Sequence, residues 1–121
     1  MLSEFEYPVG YLEIDDFDTQ SGLLKNPVST LVMIQANYCP ACTQSKQEFQ
    51  KLANNQMFEV MTIQIDGEKE SERAITHILD KINPGVSTIP SYILFSGGKR
   101  IQYKGSGRTA SDLHRFVELH I

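Results

Sequence analysis

Cysteine is scarce in this chain. Only two of the 121 residues are cysteine, and both lie in the stretch Asn37-Tyr-Cys-Pro-Ala-Cys-Thr-Gln44. A disulfide between Cys39 and Cys42 would close a very small ring, whereas a cross-link is expected to stabilise a fold mainly when it closes a long loop. This scarcity argues against a framework held together by disulfides. We therefore expect the two cysteines to react or to bind a metal.

Long apolar runs and an excess of positive charge are also absent. No segment approaches the roughly 20 apolar residues of a membrane span, and the first residues contain no basic leader followed by an apolar run. The net charge of -4 and the pI near 5.3 argue against a surface that collects nucleic acid or anionic lipid. We therefore expect a cytoplasmic monomer without nucleic-acid or membrane partners. In such a reducing compartment a C-x-x-C is more often reactive or metal-binding than structural.

Strand and helix patterns alternate along a chain whose length suits one domain, residues 1–121. Continuous apolar runs predict buried strands, and apolar residues at helical spacing predict amphipathic helices. The predicted strands are residues 9–14, 31–34, 60–65, 92–95 and 100–103. The predicted helices are a short one capped by Asp15 or Asp16, one over residues 40–54, one around residues 75–82 capped by Ser71, and a last one that begins after Thr109. The order βαβαβαββα predicts an α/β fold with parallel units first and an antiparallel hairpin last.

The cysteine pair lies where a predicted central strand ends and a predicted helix begins. Cys39 would stand at the helix N-terminus and Cys42 one turn inside the helix, with Pro40 in the first turn, where it has no N–H to lose. Unpaired amide groups and the positive end of the helix dipole favour the thiolate form of Cys39. A thiolate attacks disulfides, and Cys42 lies within reach to break the resulting mixed disulfide.

With these motifs in place, the chain resembles the thioredoxin superfamily over residues 10–119. The resemblance rests on CPAC, the preceding LVMIQANY, QID at residues 64–66, STIPSYILF at residues 87–95, the GGK turn and Gly105. It implies a central mixed sheet with helices on both faces and a thiol–disulfide oxidoreductase activity. In this family the proline of the I-P pair is cis and faces the active site, a role that the resemblance assigns to Pro90. The implied substrate-binding residues are Tyr38, Pro40, Ala41, Ile89 and Pro90.

The chain also departs from the pattern of thioredoxins proper. Tyr38 replaces the tryptophan that precedes the first cysteine, and Pro40 and Ala41 replace the usual glycine and proline. Met33 stands where thioredoxins carry a buried carboxylate that helps to deprotonate the second cysteine. The ending YKGSGRTASDLHRFVEL is similar to disulfide isomerase domains. The sequence therefore predicts a member of the superfamily whose active-site residues differ from those of thioredoxins proper.

The predicted function is thiol–disulfide exchange on protein disulfides or dithiols, with Cys39 as nucleophile and Cys42 as resolving cysteine. The resemblance implies no metal or organic cofactor, but it does imply a separate reductase or oxidant that recycles the pair. The residues leave two alternatives open. A zinc site would need four ligands, and His77, His114 and His120 are not suitably spaced. The second is a redox-inactive interaction module with the same fold.

Overall fold

A computed structural model describes Leu2 and residues 4–121, and within them five strands form one mixed sheet. These described residues contain nine main elements and three short 3-10 turns. The strands are β1 (Gly10–Tyr11), β2 (Thr30–Gln35), β3 (Glu59–Gln64), β4 (Ser91–Ser96) and β5 (Lys99–Gln102). The helices are α1 (Pro40–Lys51), α2 (Glu70–Arg73), α3 (Leu79–Ile82) and α4 (Ala110–Glu118), and the 3-10 turns are Ile14–Asp16, Leu52–Asn54 and Ala74–Ile78.

The strand order is β1-β3-β2-β4-β5, which confirms the predicted mixed sheet. The pairs β1–β3 and β3–β2 are parallel, whereas β2–β4 and β4–β5 are antiparallel. The central strand β2 is buried along its whole length, as its continuous apolar run predicts. Because β2 leads directly to the cysteines, the motif lies at the carboxyl end of the central strand.

Alternating side chains of the sheet build two apolar clusters on its opposite faces. Leu31 and Met33 of β2 face the side covered by α1 and α4, and Val32 and Ile34 face the other side. That second side is covered by the segment from α2 to α3, through residues such as Ile75 and Ile82. Helices therefore cover both faces, as the resemblance implies.

Three local predictions are wrong. The first strand spans only Gly10–Tyr11, because at Ile14 the chain enters a 3-10 turn in which the Glu13 amide donates to Asp16 Oδ2 at 2.7 Å. No helix follows Asp15 or Asp16, since Phe17 forms a β-bridge with Leu24 instead.

The third predicted helix is also divided, into α2, the turn Ala74–Ile78 and α3. Its N-cap is Lys69 rather than Ser71, whose hydroxyl donates to Glu13 Oε1 at 2.6 Å. The sequence pattern finds the buried face of this segment but not its changes of helical type. Helix α4, by contrast, begins as predicted, with Thr109 and Asp112 forming a reciprocal capping box.

Candidate active site

Cys39 is the N-cap residue of α1. Its backbone is extended, Pro40 is the first helical residue, and the Cys42 amide donates to Cys39 Sγ at 3.2 Å. The sulfur therefore takes the place that a Ser or Asp oxygen usually has at a helix N-cap. Both the amide and the helix dipole stabilise negative charge on this sulfur. The predicted position of Cys39 at the helix start is thus present.

Cys42 lies one turn into α1 and is fully buried, whereas Cys39 keeps 9% exposure. Both thiols are free, and both belong to the apolar cluster under α1 and α4. Burial raises the pKa of the Cys42 thiol to about 12, and the neighbouring Cys39 acts in the same direction. Cys42 is therefore protonated near neutral pH, and the two thiols lie in unequal surroundings.

The loop before Cys39 is fixed by a carboxylate from the end of β3. The Asn37 amide donates to both oxygens of Asp66, at 2.9 and 3.1 Å. Cys39 N then donates to Ala36 O at 3.3 Å, which completes the turn into the helix. This contact joins positions that are 29 residues apart in sequence, and it is a finding of the structure.

The segment before β4 lies opposite Cys39. The bond between Ile89 and Pro90 is cis, as the resemblance implies for Pro90. The carbonyl oxygen of Ile89 is 4.0 Å from Cys39 Sγ. Among the described residues, the Ile89 amide has no backbone acceptor. The backbone of Ile89 therefore lies next to the Cys39 thiol.

The other predicted site residues form the rim of the motif. Tyr38 is 69% exposed, Pro40 is exposed and Ala41 is half-buried. Val86, which the sequence analysis did not single out, is 37% exposed in the loop that leads to Ile89 and Pro90. The region around Cys39 is therefore partly apolar and open to solvent.

Lys46 is the residue of the site that sequence reasoning missed. It lies one turn beyond Cys42 on α1, its exposed fraction is 0%, and its Nζ donates to Asn37 Oδ1 at 3.3 Å. The spacing of four residues from Cys42 was an available signal. The residue type argues the other way, because lysine side chains are mostly exposed.

Met33 is a core residue, fully buried in the same cluster as both cysteines.

Within Leu2 and residues 4–121, no group of three or more His, Cys, Asp or Glu side chains is arranged to hold a metal ion. In the same part of the chain, no helix has the length and apolarity needed to span a bilayer.

Comparisons with known proteins agree with this architecture. The family model described as Thioredoxin matches residues 10–119. The chain is 38% identical over 133 aligned positions to the putative thioredoxin-like protein 453L of Invertebrate iridescent virus 6, covering 93% of this chain and 94% of that protein.

Solved structures show the same fold at low identity. The J-Trx1 fragment of ERdj5 superposes with a TM-score of 0.69 at 19% identity, over 93% of this chain and 51% of that fragment, so this chain spans about half of it. Thioredoxin O2 from Arabidopsis thaliana, in its oxidised state, gives a TM-score of 0.64 at 17% identity, over 97% of this chain and 98% of that one. Thioredoxin F from spinach chloroplast gives 0.63 at 11% identity, over 92% and 91%.

Proposed function

Because the chain belongs to the thioredoxin family, we propose that it exchanges disulfides with other proteins, with Cys39 as nucleophile and Cys42 as resolving cysteine. Family membership and the adjacent free thiols support a general thiol oxidoreductase. The observation that carries the finer assignment is the hydrogen bond from the Cys42 amide to Cys39 Sγ at the start of α1. It stabilises a thiolate on the more accessible sulfur.

The proposed reaction has two exchange steps. The Cys39 thiolate attacks one sulfur of a client disulfide, forming a mixed disulfide and releasing the other client sulfur as a thiolate. Cys42 then loses its proton, attacks Cys39 Sγ and displaces the second client thiolate. The client gains two electrons, and the chain is left with a disulfide between Cys39 and Cys42. The reverse sequence oxidises a client dithiol.

The proposed client-binding surface consists of Tyr38, Pro40 and Ala41 on one side of Cys39 and of Ile89 and Pro90 on the other. An extended client segment could pair with the backbone of Ile89 and so bring its disulfide to Cys39 Sγ, 4.0 Å from the Ile89 carbonyl. Tyr38, next to Cys39 in the chain, supplies exposed apolar surface for that segment. A separate reductase or oxidant must restore the cysteines, since each turnover reverses their redox state.

Insulin reduction by dithiothreitol tests the proposal, with turbidity from the released chains as the measurement. The wild-type protein is expected to accelerate precipitation, and Cys39→Ser is expected to return to the uncatalysed rate, because the attacking sulfur is gone. Circular dichroism checks that both proteins are folded. A wild-type protein that leaves the rate unchanged would instead point to an interaction module with inert cysteines.

A further inference from the structure

Lys46 and Cys42 occupy the same face of α1. They are four residues apart, so their side chains stand one above the other on the helix. Lys46 is fully buried, as is Cys42. Lysines are almost never buried without partners that hold the ammonium group. The burial of this lysine beside a reactive thiol therefore calls for an electrostatic explanation.

Within the described part of the chain, groups from three parts of the fold lie around Lys46. Cys39 and Cys42 belong to the start of α1, Asp66 follows β3, and Glu4 lies in the N-terminal segment; all four interact electrostatically with the lysine. Burial lowers the pKa of Lys46 and is the larger effect, whereas negative charge on Asp66 and Glu4, and on either thiol when it ionises, acts in the opposite direction. Asn37 accepts a hydrogen bond from Nζ. These neighbours favour the ammonium form of Lys46 and oppose the effect of burial.

Other charged or titratable groups lie further along the same surfaces. Glu68, Lys69 and Glu72 line the open cleft that also contains Asn37, Asp66 and Glu4. On the sheet side, Tyr92 of β4 interacts with Cys42, and burial raises the pKa of its phenol to about 12. Tyr92 is therefore neutral at neutral pH and does not supply the charge that Cys42 needs.

A buried thiol must ionise before it can attack. Cys42 is protonated near neutral pH, and the position beneath the site that thioredoxins fill with an acid holds the apolar Met33. Positive charge on Lys46 lowers the pKa of Cys42, opposing the effect of burial. An opposite charge within about 4–6 Å commonly shifts the pKa of a neighbouring group by about 1–3 pKa units.

We propose that Lys46 is a positioning residue that stabilises the thiolate of Cys42 and so promotes release of the mixed disulfide. This role rests on the proposed function, because it concerns the second exchange step, in which Cys42 attacks the mixed disulfide. The Cys42 proton passes to solvent, and the thiolate forms beside the Lys46 ammonium. The new bond joins Cys42 Sγ to Cys39 Sγ, the bond from Cys39 Sγ to the client sulfur breaks, and the client leaves as a thiolate with its electron pair.

The test uses the full chain and dithiobis(nitrobenzoic acid), an aromatic disulfide that releases a coloured thiolate. Attack by Cys39 releases the first equivalent, and attack by Cys42 on the resulting mixed disulfide releases the second. The variants are Lys46→Met, which keeps a long side chain without charge, and Lys51→Met, a control that removes a largely exposed lysine from the same helix. Lys46→Gln replaces the Met variant if that variant does not fold.

Lys46→Met is expected to slow the second phase on the order of tenfold at neutral pH, and Lys51→Met to leave it unchanged. The second readout is the pH titration of the Cys42 ¹³Cβ signal in a Cys39→Ser background. Loss of the Lys46 charge should move that titration to higher pH. If Lys46 served only in packing, its replacement would slow release of the second equivalent without changing the titration of Cys42.

An unmoved Cys42 titration, or an unchanged second phase in the variant, would overturn the role of Lys46. Failure of the proposed function has a different signature. In that case the wild-type protein would show no first phase or would fail to reduce insulin, whatever residue stands at position 46. The two proposals can therefore fail separately.

Discussion

Cys42→Ser is expected to accumulate a mixed disulfide with insulin, whereas Cys39→Ser is expected to trap little or none. Cys39 can attack a client disulfide without Cys42. Release of the client from the mixed disulfide, however, requires attack by Cys42. Removing Cys42 therefore leaves the intermediate without its resolving thiol. The measurement is the yield of the covalent adduct on a non-reducing gel, with the position of the bond read by mass spectrometry.

The two variants serve as matched controls for each other, since each removes one sulfur and keeps the other. A double variant lacking both sulfurs should give no adduct. Equal trapping by the two single variants would contradict the assignment of nucleophile and resolving cysteine. A zinc site would instead lose its metal in both variants.

The second large effect is on stability. Phe49→Ala is expected to lower the free energy of unfolding by about 3–5 kcal/mol, because it leaves a cavity under α1. Phe49 is fully buried and packs edge-on against Phe5, with ring centroids 5.6 Å apart, and against Tyr92 at 5.8 Å. Phe49 therefore packs α1, the helix at whose start both cysteines lie, against the sheet. Urea unfolding followed by circular dichroism measures the change.

Leu119→Ala is the control for this prediction. Leu119 is 71% exposed beyond the end of α4, so its truncation should change the free energy of unfolding by less than about 0.5 kcal/mol. A loss below about 1 kcal/mol for Phe49→Ala would mean that α1 does not depend on this contact. The arrangement of the cysteines would then need another anchor.

Local signals were enough to predict the placement of the reactive motif. The apolar run before Asn37 is a buried strand, and Pro40 in the first turn, with apolar residues such as Phe49 at helical spacing, starts and orients α1. Thr109 and Asp112 likewise mark the start of α4 through their own side chains. Such features depend on neighbours in sequence, so the sequence reveals them.

The failures involve contacts that the residue pattern does not reveal. Ser71 bonds to Glu13 rather than capping a helix, and Phe17 pairs with Leu24 rather than continuing a helical turn.

Lys46 was missed because of its residue type and not because of its spacing. Helical spacing places position 46 on the buried face of α1 with Cys42 and Phe49, but a lysine is usually exposed. In the folded protein its Nζ donates to Asn37 Oδ1, and the Asp66 carboxylate after β3 also interacts with it.

The central claim is that the two cysteines are chemically unequal, and limited alkylation of the reduced protein tests it most directly. Iodoacetamide is added in limiting amount below neutral pH, and peptide mass spectrometry reports the modified fraction of each cysteine. We expect the label on Cys39, whose sulfur is the more accessible and accepts the Cys42 amide, while Cys42 stays protonated and buried. Labelling of Cys42 should grow only toward alkaline pH, because its pKa is raised. Equal labelling below neutral pH, or faster labelling of Cys42, would contradict the account.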